Sequence, residues 1–153
     1  PKKFPYPIVN NCLPHIDVFE ENGYTKEEIK MINETRKILG KPDLKVTATT
    51  VRVPVFNSHS ESINMQLKND YDLDEVRALL ASSPGIILMD DPKNNVYPLA
   101  SIADGHDEVY VGRLRRDDTV NYGLNMWCVS DNIRKGAATN AVQIAEAYIR
   151  DNG

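Results

Sequence analysis

Between residues 44 and 56 the chain reads Leu-Lys-Val-Thr-Ala-Thr-Thr-Val-Arg-Val-Pro-Val-Phe, and so many β-branched side chains favour an extended backbone. The run predicts a strand, with Pro54 near its end or at an irregularity. Four further segments read the same way. Residues 62–67 alternate polar and apolar, as a half-buried strand does, and residues 86–89 form a short buried apolar run. Residues 108–114 and 123–129 are two more candidates, separated by a polar connection.

Helical signals are interleaved with these strands. Thr25-Lys26-Glu27-Glu28 is a capping box, in which a hydroxyl and a carboxylate satisfy the orphan amides of a first turn. Behind it Ile29, Ile32 and Leu39 fall on one side of a helix that Gly40-Lys41-Pro42 ends. Asp72 is placed to cap a helix over residues 73–81, closed by Ser83-Pro84-Gly85. The last helix is predicted to start within 131–136 and run to about Arg150, with Ala141, Ile144, Ala145, Tyr148 and Ile149 on its packing side. Residues 1–24 are irregular, interrupted by Pro1, Pro5, Pro7 and Pro14. A sheet of about five strands beside three helices predicts the α+β class.

At 153 residues, with 41% hydrophobic and 26% charged residues, the chain can bury one sizeable core. A net charge of −4 without a basic run argues against a nucleic-acid surface. No apolar stretch approaches the roughly 20 residues that span a bilayer, and no secretory signal precedes Lys2-Lys3. Cys12 and Cys128 lie far apart and form no CxxC pair, which fits a reducing, cytoplasmic setting. The chain opens at Pro1 without methionine, and the expectation is a piece of a longer polypeptide.

The candidate chemistry is concentrated in Arg52-Val53-Pro54-Val55-Phe56-Asn57-Ser58-His59-Ser60-Glu61. Arginine suits a carboxylate because its planar fork donates two parallel hydrogen bonds, and histidine suits proton transfer near neutral pH. The same residues also fit a sheet-edge arginine and a solvated loop histidine. Seven residues separate Arg52 from His59, so an unbroken strand would point them to opposite faces, and only a turn between them lets them converge. Glu61 either orients the His59 ring or is a solvated strand-edge carboxylate. Glu27 and Lys30 offer one anion and one cation to a ligand, or a plain helical ion pair. Residues 131–140 lead into a helix through small side chains, a pattern that fits close ligand approach and tight packing equally. His15, His59 and His106 lie in separate segments without familiar zinc spacing, so no metal site is expected. No phosphate-binding or dinucleotide-binding glycine fingerprint occurs in the chain.

Taken together, these segments resemble the carboxyl-terminal half of aspartate-β-semialdehyde dehydrogenases. The resemblance runs from Phe4-Pro5-Tyr6-Pro7 to Ala145-Glu146. It includes Pro14-His15-Ile16-Asp17-Val18-Phe19, Gly23-Tyr24-Thr25-Lys26-Glu27-Glu28-Ile29-Lys30, the Arg52–Glu61 stretch, Val111-Gly112-Arg113-Leu114-Arg115 and Asp131-Asn132-Ile133-Arg134-Lys135-Gly136.

The resemblance implies NADPH-dependent reduction of β-aspartyl phosphate to aspartate semialdehyde with release of phosphate, a step toward lysine, threonine, methionine and isoleucine. It implies a cysteine thioacyl intermediate, with His59 as the acid/base and Arg52 on the substrate carboxylate. Glu27 matches the acidic residue near the substrate amino group, Lys30 the phosphate-binding lysine, and Asn132 a polar cofactor contact near the nicotinamide. It places the nucleophilic cysteine and most of the NADP pocket in an amino-terminal part, so neither Cys12 nor Cys128 is the nucleophile. The expectation is a chain inactive alone. The implied architecture is a mixed, largely antiparallel sheet with helices on one face, like the second domain of glyceraldehyde-phosphate dehydrogenases. Residues 1–130 would bind substrate and form a homodimer interface, and residues 131–153 would be a terminal helix that returns to the NADP-binding domain. A noncatalytic self-association module and a sensor of aspartate-like ligands are the contrasting readings.

Overall fold

The capping box forms as the sequence predicts, and it does more than start a helix. Helix α1 spans Lys26–Ile38, and Thr25 Oγ1 accepts the Glu28 amide at 3.3 Å while Glu28 Oε2 accepts the Thr25 amide at 2.8 Å. The other Glu28 oxygen accepts the amide of Thr50 at 2.8 Å. One buried carboxylate therefore satisfies the helix cap and also ties a distant segment to it. The Thr25 and Thr50 amides hold its pKa below the ordinary glutamate value, since they favour the charged form. The computed structural model describes residues 3–153, and these divide into two compact units, one ending at Val55 and the other beginning at Phe56.

In the first unit, residues 44–56 do not form the predicted strand. The burial alternates, with Leu44, Val46 and Ala48 half-buried and Lys45, Thr47 and Thr49 exposed, so the run is extended as its β-branching demands. A strand also needs a partner. Among the described residues of this unit only Arg52 finds one, exchanging backbone hydrogen bonds of 2.8 and 2.9 Å with Leu13. Ile32 is buried, whereas Leu39, expected on the same side, is exposed beyond the helix end.

The second unit is a four-stranded sheet, so the α+β class is borne out with one strand fewer than expected. Its strands are β1 (His59–Gln66), β2 (Ile86–Leu88), β3 (Val109–Asp117) and β4 (Gly123–Ser130). In the order β1-β4-β3-β2, β4 is antiparallel to β1 and β3, and β2 is parallel to β3. Helix α2 (Leu73–Ser82) starts at the expected Asp72, whose carboxylate accepts the amides of Asp74 and Glu75.

Neighbouring strand residues point to opposite faces, and the two core clusters follow this except at Leu114, which shares the face of Val111 because the β3 register shifts between them. Val111, Leu114 and Leu124 pack with Val76 and Leu80 of α2, while Tyr110 and Val129 pack with Ala103 on the other face. Ala103 belongs to the one-turn helix α3 (Ala100–Ala103) and is fully buried. The sheet therefore carries a small helical element on its second face as well.

Strand β3 contains a bulge. The β3–β4 register shifts between Gly112 and Arg115, and Arg113 sits at φ +57°. Gly112 is required beside it, because a Cβ there would collide with the Met89 carbonyl and lie 2.7 Å from Pro98 Cδ. Within the bulge, Leu114 finds side-chain partners: its amide donates to Asp90 Oδ1 at 3.2 Å and its carbonyl accepts from Arg77 Nη2 at 3.2 Å. Arg77 and Asp90 are themselves paired at 2.9 Å.

After β4 the chain makes a π-turn at Arg134–Ala138 and continues as α4 (Thr139–Asn152). The predicted packing side of α4 is exposed among the described residues: Ile144, Tyr148 and Ile149 are 61, 69 and 68% accessible. No helix in the described residues is long and apolar enough to cross a membrane.

Candidate functional site

His59 is the first residue of β1, an edge strand, and the ladder explains its company. It lies opposite Ser130 of β4, so the chain leaving β4 carries Asn132 past the histidine. His59 Nδ1 and Asn132 Oδ1 are hydrogen-bonded. A carboxamide oxygen only accepts, so Nδ1 carries the proton and Nε2 is left as the basic nitrogen. The structure thus gives the ring an orienting partner, and it is Asn132 rather than Glu61.

Backbone geometry sets the approach to His59. Ser58 has φ +74°, a left-handed conformation that a β-carbon disfavours, and its buried hydroxyl donates to the Ala100 carbonyl at 3.0 Å. Asn57 Nδ2 donates to Asp104 Oδ1 at 3.1 Å. Upstream, the Val55 amide bonds the Val53 carbonyl at 2.9 Å, so the chain turns just after Arg52.

Asp131, next to Asn132, was not singled out as a site residue by sequence reasoning. It is buried, and its Oδ1 accepts the amides of Ile133 and Arg134 at 2.7 and 2.9 Å. Its Oδ2 accepts the Gly105 amide at 2.9 Å. These backbone donors, Arg134 first, hold the carboxyl below the usual aspartate range. The Asp131 carbonyl accepts the Gly136 amide at 2.9 Å, an approach that suits glycine because a Cβ would sit 3.0 Å from that oxygen. Asp107 secures the π-turn by accepting from Thr139 Oγ1 at 2.9 Å and Arg134 Nη1 at 3.1 Å. An aspartate two residues before a turn's free amides was the local signal for Asp131.

In the first unit Glu27 and Lys30 meet as their spacing predicts, at 2.9 Å. The bond from Glu27 raises the Lys30 pKa, so the amine stays cationic. Arg52 is half-buried, with its guanidinium carbon 5.0 Å from the centre of the Phe4 ring. Among the described residues no carboxylate lies within ion-pair distance of it, so its donor fork suits an outside acid. A groove of about 300 Å³ lined by Pro14, Phe19, Tyr24, Glu28, Thr47 and Thr49 also lies in this unit. No sequence pattern marks this groove, and its carboxylate is already engaged by the Thr25 and Thr50 amides.

Cys128 is not poised as a nucleophile. Cys128 packs in the apolar cluster on the α2 face, and burial, aided by the nearby Glu61 charge, pushes its thiol up to about 11. Near neutral pH its thiolate is about a hundredfold scarcer than that of an ordinary cysteine. Iodoacetamide labelling followed by peptide mass spectrometry is expected to modify the exposed Cys12 while Cys128 lags, catching up only in strongly alkaline buffer. Equal rates at neutral pH would contradict this. Among the described residues no three His, Cys, Asp or Glu side chains cluster as metal ligands.

Residues 1–135 match the family described as semialdehyde dehydrogenase, dimerisation domain. The chain is 56% identical over 150 residues to a protein of Aquifex aeolicus named aspartate-semialdehyde dehydrogenase. That alignment covers 98% of this chain but 44% of the relative, so the chain spans less than half of the relative's length. Among solved structures, aspartate semialdehyde dehydrogenase II of Vibrio cholerae, described as complexed with ASA, matches with a TM-score of 0.89 and 45% identity, covering 98% of this chain and 44% of that one. The Candida albicans enzyme, described as with NADP, matches with a TM-score of 0.65 and 25% identity, over 82% of this chain and 40% of that one. An α+β unit of this topology, preserved over nearly the whole chain at such identity, places the chain in the aspartate-semialdehyde dehydrogenase family, as its carboxyl-terminal dimerisation domain.

Proposed function

We propose that this chain is the carboxyl-terminal part of an NADPH-dependent reductase that converts β-aspartyl phosphate to aspartate semialdehyde and phosphate. The observation that carries this reading is the 56% identity to the Aquifex aeolicus relative across 98% of the chain. In this reading residues 1–130 bind substrate and form a homodimer interface. Residues 131–153 return to an NADP-binding domain that also supplies the nucleophilic cysteine. A cytoplasmic setting fits the two free thiols.

His59 is the acid/base. With its Nδ1–H engaged by Asn132, Nε2 takes a proton from the attacking thiol and returns one at the tetrahedral stages. Arg52 holds the substrate α-carboxylate through its two-pronged fork. Glu27 attracts the α-amino group and Lys30 the phosphate, each giving up their mutual 2.9 Å pairing for the substrate's charge. When bound, NADPH would supply the hydride; the Asn132 amide has an N–H donor that fits the carboxamide oxygen of a nicotinamide.

The test is phosphate-dependent reduction of NADP by aspartate semialdehyde, with this chain alone and mixed with the amino-terminal half of a relative. Turnover is expected only in the mixture. Turnover by the chain alone would overturn its dependence on the other half. Association of the halves without turnover would favour a noncatalytic self-association module, which the family's description as a dimerisation domain makes the second reading.

A further inference from the structure

The His59–Asn132 pair joins two chain segments at the end of the β1–β4 ladder. His59 opens an edge strand and is exposed, while Asn132 lies on the loop after β4. Both segments are tied to one short stretch, residues 100–105. On the histidine side, Ser58 Oγ bonds the Ala100 carbonyl and Asn57 bonds Asp104. On the asparagine side, Asp131 Oδ2 takes the Gly105 amide. The stretch itself is fixed by Ala103, fully buried against Tyr110 and Val129.

We propose that Asp131 is a positioning residue, which locks Asn132, and through it the His59 ring, to the platform formed by residues 100–105. The proposal rests on the acid/base reading of His59 for its kinetic consequence, but not for its structural one. The two carboxylate oxygens have different tasks. Oδ1 caps the turn at Ile133 and Arg134, whereas Oδ2 alone reaches Gly105. Exchanging Asp131 for asparagine separates them. The amide oxygen can keep the cap, because asparagine caps as well as aspartate, but the NH₂ group then faces the Gly105 N–H, donor against donor.

The structural arm uses this chain as it stands, labelled with ¹⁵N-histidine and held in alkaline buffer where the imidazole is neutral. In the parent chain the two His59 ring nitrogens are expected to be well separated, as one tautomer. In D131N they are expected to move toward each other as the second tautomer becomes populated. S58A, which cuts one of the two ties on the histidine side and leaves a residue with a β-carbon at that position, is expected to act in the same direction. The kinetic arm uses the chain complemented by an amino-terminal half: kcat of D131N is expected to fall by about tenfold to a hundredfold with KM unchanged. Unchanged ring resonances in both variants would overturn the proposal, and so would full kcat in D131N. If His59→Ala leaves turnover intact, the acid/base reading fails, and the ring resonances alone decide whether the lock exists.

Discussion

Turnover by the complemented enzyme is expected to fall about a thousandfold when His59 becomes alanine, within the range typical for loss of a general acid/base. The loss should appear in kcat rather than KM, because the imidazole moves a proton in the transition state and adds little to ground-state binding. The oriented Nε2 explains why a neighbouring residue would not substitute: Asn132 has no basic nitrogen, and Glu61 does not hold the ring. Arg52→Lys provides the contrast. Lysine keeps the charge but gives up the planar fork, so KM for aspartate semialdehyde is expected to rise by about tenfold to a hundredfold with a smaller change in kcat. Steady-state kinetics of both variants against NADP and phosphate at saturation would decide. A kcat for His59→Ala within a factor of ten of the parent would remove His59 from the chemistry.

The parts of this molecule that can be read from sequence are those whose partners are near in the chain. Thr25 and Glu28 are three residues apart, Asp72 caps amides two and three residues on, and Glu27 meets Lys30 one turn later. The alternation at residues 62–67 likewise reports a half-buried strand, and β1 contains most of it. Nonlocal pairing is where the reading stops. Residues 44–56 have the β-branching of a strand, yet whether they form one depends on a neighbour, and among the described residues of the first unit only Leu13 pairs with them. The site shows the same division. His59 stands out by its chemistry, whereas its bond to Asn132, 73 residues away, follows from a register that sets it opposite Ser130. Asp131 is visible as a local cap, but its bond to Gly105 depends on how α3 sits on the sheet. The family resemblance supplied the site residues that spacing alone left open between a functional and a bland reading.

Removing the Asp90 carboxylate is expected to cost the second unit a clearly measurable part of its stability. Its side chain is 1% exposed and faces the Arg77 guanidinium at 2.9 Å, with Arg77 about one-third exposed. Arg77 keeps solvent and Asp74 when Asp90 is removed, so the loss is that of a charge-assisted hydrogen bond rather than of a stranded buried charge. Asp90→Ala should therefore destabilise the chain by about 1.5–3 kcal/mol. A second effect acts in the same direction, because the Leu114 amide loses its acceptor inside a bulge where β4 cannot replace it. Asp90→Asn separates the two. It can keep an acceptor for Leu114 while losing the charge pairing, and so should fall between the parent and alanine. Asp74→Ala is the control: Asp74 also pairs with Arg77 at 2.9 Å, but its side chain is 89% exposed and the midpoint should barely move. Urea unfolding of the four proteins would measure the order. If Asp90→Ala unfolds at the same urea concentration as Asp74→Ala, the pair is not what secures the bulge, and the irregularity at Arg113 must be held by packing around Gly112 and Leu114 instead.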